Sequence, residues 1–350
     1  MRALRLALTA TVLLAISGCQ VMGYYTQAVS GQIEIWRETR PVEELLRDPA
    51  VDPGLQARLK RAVLIRDFAS RELALPDNAS YRSYADLKRP FVVWNVFATE
   101  EFSTRPKQWC FPFAGCVTYR GYFNEENAQS FAKQLRANGV DVFVAGVPAY
   151  STIGWFDDPL LNTFVRFSQT EMARLIFHEL AHQVLYVPGD TSFNESFASA
   201  VELEGIERWL AAEGTASERK AFEATRIYRR RFIELVATYR GKLEALYLLT
   251  IPDDEKRIRK AEILTNMRAS YLALKESWGG FAGYDRFFAG ELGNAQLASV
   301  SNYTEWVPAF RNLLARSGSL PQFYAAAKEI SKLEPDERKE RLRALDSAAP

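Results

Sequence analysis

Residues 175–202, LIFHELAHQVLYVPGDTSFNESFASAVE, hold the densest run of groups able to do chemistry. Within it, His178, Glu179 and His182 form an HExxH pattern. Residues four apart share one face of a helix, so the two imidazoles point the same way. Zinc takes nitrogen and oxygen donors in a tetrahedral shell, and His178 and His182 supply two of them. Glu179 falls beside the ion, where a carboxylate takes a proton from a water held there. Glu195, in Asn194-Glu195-Ser196-Phe197-Ala198, is the candidate third ligand, and one zinc per chain is the expectation. The competing reading is a core helix whose histidines are satisfied by neighbours. Against it, the 350-residue chain has only two histidines and both lie in this pattern.

The elements that must position these groups are legible on either side. Met172, Leu175, Ile176, Leu180, Ala181, Val184 and Leu185 cover most of the circumference of one helix, as a buried helix requires. Ser168-Gln169-Thr170-Glu171 is a capping box that starts it. Val187-Pro188-Gly189-Asp190 ends it, and a second helix is expected to begin near Thr191 to Asn194 and run on to Glu213.

HELAHQ followed by NE-x-FAS-x-VE resembles the gluzincin metallopeptidases, above all the membrane alanyl aminopeptidase family. The resemblance implies that His178, His182 and Glu195 bind zinc and that Glu179 is the general base. Ser199 and Glu202 also fall on matching positions, and Glu202 would orient a histidine ligand from behind. One departure stands out: twelve residues, Gln183 to Asn194, separate the second histidine from the third ligand, a tighter connection than in that family. The whole chain, with its lipoprotein-like start and the stretches WCFPFAGCVTYRGYF and NAQLASVSNYTEWVPAF, more closely resembles a family of bacterial lipoproteins described as predicted aminopeptidases.

The resemblance also implies an α+β, zincin-like (gluzincin) metallopeptidase fold, with a small N-terminal mixed sheet and a mostly helical C-terminal part. The substrate would be a peptide. A donor must stabilise the developing oxyanion. Tyr303 and Tyr284 are the candidates, and Tyr303 is preferred because it lies in a stretch that carries the family likeness. Ser151 to Trp155 is the candidate substrate wall, against the alternative of an ordinary connecting loop. An aminopeptidase needs an acid to hold the substrate amine, for which the chain offers Asp157, Asp158 and Glu202. An envelope endopeptidase and a non-catalytic zinc-binding lipoprotein are the rivals. A structural zinc site fills its fourth position with a protein ligand. No third histidine exists to fill it, so an open site is expected.

Composition narrows the classes further. The chain carries 44 basic and 43 acidic residues for a net charge of +1, which gives no footprint for nucleic acid. Residues 1–19 read as a lipoprotein signal peptide. Arg2 and Arg5 are followed by an apolar run from Leu6 to Ile16, and Ile16-Ser17-Gly18-Cys19 resembles a lipobox. Cys19 would then carry the lipid that anchors the protein in a bacterial envelope, facing the periplasm. Gln20, where an aspartate would argue for the inner membrane, favours the outer one. In an exported chain Cys110 and Cys116 read as a disulfide, closing a small loop worth about 2 kcal/mol.

Residues 20–165 are expected to hold N-terminal helices and the small sheet, and 166–350 the zinc motif and a helical remainder. Helical spacing marks Leu55 to Leu73. Strands are expected over 91–97, 116–123 and 140–147, with a helix from Asn124 to Ala137. Long helices are expected over Ser217 to Leu249 and Asp254 to Trp278. The basic run Arg226, Arg229, Arg230 and Arg231 reads as a solvated helix face. Residues 333–350 are charged and are expected to fray.

Overall fold

A computed structural model describes residues 23–111, 115–149, 151–300 and 305–347. The chain opens with helix α1 over residues 23–38. Strand β1 (Thr39–Pro41) and the short helix α2 (Val42–Arg47) lead to α3 (Pro53–Leu73). Asp52 caps α3 by accepting from Leu55 N, and Pro53 sits in its first turn, where a missing N–H costs nothing. Then come β2 (Ser83–Ala85), β3 (Val93–Thr99), β4 (Trp109–Phe111), β5 (Gly115–Val117) and β6 (Arg120–Tyr122). Helix α4 (Glu125–Ala137), capped by Asn124, precedes β7 (Asp141–Val147) and β8 (Leu160–Leu161).

The remaining elements are helices: α5 (Gln169–Val184), α6 (Thr191–Glu213), α7 (Ala216–Tyr247), α8 (Asp253–Ser277), α9 (Asp285–Phe288), α10 (Asn294–Val300), α11 (Val307–Ser317), α12 (Leu320–Ser331) and α13 (Pro335–Ser347). The fold is α+β and mostly helical, as expected. Among the described residues no helix is long and apolar enough to cross a membrane.

Three points differ from the sequence-based expectation. The strands form three small sheets: β1-β2-β8, antiparallel then parallel; β6-β3-β7, antiparallel; and the pair β4-β5. The single strand expected over 116–123 is broken at 118–119. Its first half is tied to β4, where Cys110 faces Cys116 and the disulfide joins them, while Tyr122 pairs with Trp94 of β3. One straight strand cannot serve both partners. Third, the charged C-terminus does not fray through Ser347. Leu342 and Leu345, three apart on α13, are buried, and Asn312 Nδ2 of α11 donates to the Leu345 carbonyl at 2.9 Å.

One apolar core joins α3, α5, α6 and α11 to α13, with Phe177, Phe193, Phe197, Phe310 and Phe323 fully enclosed. A second fills the α7–α8 hairpin and is roofed by α9 and α10 through Phe288 and Leu297. Helix α5 is therefore buried along most of its surface, which fixes the rotamers of the side chains it presents.

Candidate metal centre

Ser168 caps α5 by accepting from Glu171 N, and the helix runs unbroken through both histidines. It ends at Val184, and the twelve-residue connection predicted to be tight is held from three sides. Asn194 bonds across it in both directions, accepting from Val187 N at 2.7 Å and donating to Val187 O at 2.8 Å. Asp190 caps α6 by accepting from Phe193 N and is itself paired to Arg338 of α13 at 2.6 Å. Gly115, at φ +73°, meets Gly189 backbone to backbone, and a Cβ there would stand 2.6 Å from Gly189 N. These contacts aim the first turn of α6, and with it Glu195, at α5.

The three sequence-predicted ligands converge. His178 Nε2 lies 3.3 Å from Glu195 Oε2, and His182 Nε2 lies 3.7 Å from Glu195 Oε1. One ligand atom from each residue falls within 4.8 Å of the others. The 3.3 and 3.7 Å separations, one to each oxygen of Glu195, are close to the edge of about 3.4 Å of a tetrahedral shell with bonds near 2.1 Å, and two imidazole nitrogens with a carboxylate suit zinc. The donor set and its spacing therefore fit the ion.

Behind the triad lies a group of charges. Glu202 Oε2 is 2.9 Å from His178 Nδ1, which directs the other ring nitrogen toward Glu195. Arg174 holds Glu202 at 3.0 Å and Glu171 at 3.0 Å, and Arg229 reaches Glu202 at 3.5 Å. Burial would raise the Glu202 carboxyl, but Arg174 first, then His178 and Arg229, force it well below the usual carboxylate range. Burial opposes charge on His178 too, yet its bonds to Glu195 and Glu202 lift it to about 10. His182 has no such backing: burial lowers it to about 4, and its buried Nδ1 meets no hydrogen-bond partner among the described residues.

Glu179 makes no side-chain hydrogen bond to the described residues. Burial, together with Glu195, Asp158 and Glu202, raises its carboxyl to about 7, against the pull of His178. Asp158 is buried in the loop before β8. It accepts from Ser151 Oγ at 3.2 Å and Thr152 N at 3.0 Å, and burial raises it to about 6.

Of the remaining candidates, some fall elsewhere than expected and others are not described. Residues 151–157 form a turn rather than an extended edge, although Gly154 does lie against Gln183 of α5. Asp157 is exposed, and neither Asp158 nor Glu202 is left over to receive a substrate amine. Tyr284 has its ring stacked on Phe232 at 4.1 Å. Tyr303 and Cys19 lie outside the described residues. Arg229 is no free surface cation but part of the group under Glu202, while Arg226, Arg230 and Arg231 do make ion pairs at the surface. The sequence reading missed Arg174, although it stands one turn before His178 on the same helix face and could have been found there.

The fold and site define an α+β chain organised around a two-histidine, one-carboxylate site, beside which Glu179 makes no side-chain hydrogen bond to the described residues. A family model described as "Putative aminopeptidase" matches residues 23–342, and the chain belongs to that family. No curated protein and no solved structure gives a significant match.

Proposed function

We propose that the protein is a zinc-dependent peptidase of gluzincin type. The observation that carries this is the convergence of His178, His182 and Glu195 with Glu179, which bonds to none of the described residues through its side chain, beside them. His178, His182 and Glu195 would hold one zinc ion, whose chemistry when bound is Lewis acidity toward a peptide carbonyl and a water. Glu179 would take a proton on its carboxylate and hand it to the leaving amine. A carboxyl lifted to about 7 by burial suits both transfers, and a cation beside it would draw it down toward the ionised form. Glu202, pinned by Arg174 and Arg229, fixes the ring of His178. Tyr303 is retained as the oxyanion donor of this reading.

Family membership favours an aminopeptidase. A second reading, an envelope endopeptidase, is favoured by one observation: the acids that could bind a free amine are either exposed or already engaged. We further propose that Cys19 is lipidated and holds the protein in the cell envelope, facing the periplasm, with the outer membrane favoured by Gln20.

The test is Glu179→Gln in the purified protein, assayed on peptides with free and with blocked N-termini. Metal content is expected to be unchanged, while hydrolysis falls at least about a hundredfold. Equal rates for wild type and variant would remove Glu179 from the mechanism. Cleavage confined to free N-termini decides for the aminopeptidase.

A further inference from the structure

Through most of its length the outward face of α1 lacks the charges that a solvated helix carries. Inward, Gly31 lies against the Phe123 ring, Ile35 is buried, and Tyr24 stacks on Phe111 at 5.4 Å. Outward, Tyr25, Val29, Ile33 and Trp36 follow at spacings of four, four and three, which keeps them within an arc of roughly 80°. The exposed residues between them include Thr26 and Ser30, which are uncharged. The charged side chains come late in the helix: Glu34 is paired with Arg89 at 2.6 Å, and Arg37 and Glu38 are exposed in the last turn. An ordinary surface helix places its charges on this face.

The same surface continues into the loop at the mouth of the metal centre. Trp36 meets Phe156 edge to face at 4.9 Å, and Trp155 beside it is 72 % exposed. The loop is not slack. Thr152 Oγ1 accepts from Phe156 N and donates to Phe156 O, and Ile153 stands at φ +59°. A β-branched residue in the left-handed region costs about 1–2 kcal/mol, so strain is accepted while two large rings are held in the open.

We propose that this surface, the α1 stripe together with Trp155 and Phe156, lies in the headgroup layer of the bilayer that anchors the chain. The proposal rests on the lipid-anchor reading above. Gly23 is the fourth residue after Cys19, and an extended chain spans no more than about 3.6 Å per residue, so α1 begins within roughly 14 Å of the anchor. Tryptophan and tyrosine favour the interface, and a helix apolar on one face settles several ångströms into it. Tethering raises the local concentration of lipid, so a contact too weak to bind by itself suffices. Gly154 of the loop lies against Gln183 of α5, and Asp158 at the end of the loop acts electrostatically on Glu179, so the loop borders the metal centre. The substrates of that centre are then peptides lying at the membrane surface.

The test uses the full, processed chain in vesicles of phosphatidylethanolamine and phosphatidylglycerol. Val29→Cys and Trp155→Cys carry a fluorescent label, with Leu272→Cys on α8, 57 % exposed, as the reference position. Quencher attached to lipid acyl chains is expected to quench positions 29 and 155 at least about threefold more than position 272. Equal quenching in protein that floats with the vesicles overturns the proposal and leaves the anchor standing. Loss of flotation overturns the anchor and this proposal together. A label at 155 shielded by an apolar peptide but not reached by lipid quencher makes the face a peptide site instead, which also overturns it.

Discussion

Below the metal triad and at its mouth, the chain treats its difficult groups in opposite ways. Below, Glu202 is 2 % exposed at its side chain and is bonded to His178, Arg174 and Arg229 together. Desolvating a carboxylate this fully is costly, and Arg174 first, with His178 and Arg229, makes the ionised form stable there. At the mouth, Asp158 is nearly as enclosed but has no cation against it among the described residues, and its carboxyl rises instead of falling. The backbone differs likewise. The α5–α6 floor is helical, with side-chain caps at both N-termini, whereas the mouth holds Ile153 in a left-handed conformation. The carboxylate behind the triad is held ionised by several partners at once, whereas the carboxyl in the loop is held by neutral donors alone among the described residues.

The largest effect that would break this contrast is expected at Glu202. Glu202→Ala leaves His178 Nδ1 and two arginines facing a hole. Metal affinity should fall about 10- to 100-fold, and stability by about 3–5 kcal/mol, the usual cost of stranding one side of a buried ion pair. Titration calorimetry with zinc and denaturant unfolding of the metal-free protein read the two effects separately. An affinity unchanged within error would mean that His178 needs no support.

The mouth yields a smaller effect with a defined pH signature. Asp158 titrates at about 6 in the folded protein and near 4 in the unfolded chain. The folded state thus holds the proton more tightly, so this stabilising contribution is present below about pH 4 and lost as pH rises through about 6. Its size is on the order of 3 kcal/mol. Asp158→Asn is expected to flatten the decline in stability between about pH 4 and 7, measured by denaturant midpoints at each pH. Parallel pH profiles for the two proteins would contradict the environment described for Asp158.

The smallest change expected is at Ile153. Asparagine tolerates the left-handed region, so Ile153→Asn should gain up to about 1 kcal/mol, read as a raised midpoint of thermal unfolding. A loss would show that the Ile153 side chain is held by packing stronger than its backbone strain.

How much of this was legible in the sequence depended on distance along the chain. The cap at Ser168, the i, i+4 histidines, the turn before Asp190 and the position of Glu195 are local patterns, and all appear where expected. The group around Glu202 draws Arg174 from α5 and Arg229 from α7, and spacing alone does not disclose that the α7 arginine turns inward. The contact of Gly115 with Gly189 and the reach of Arg338 to Asp190 join segments more than seventy residues apart. The split of 116–123 between two sheets was hidden for a related reason: β-propensity marks which residues favour strand but not which neighbour each half will pair with.

The shortness of the connection between His182 and Glu195 bears on chain entropy. A bound ion that joins the two helices closes a loop of only twelve residues. Loop-closure entropy grows as the logarithm of length, so restraining this stretch in the unfolded chain removes only about 2 kcal/mol of disorder, before any fixed term. The local turn contacts of Asn194 and Asp190 hold the same stretch without metal. A metal bound here would be a weak cross-link of the chain, adding little to what the turn already holds.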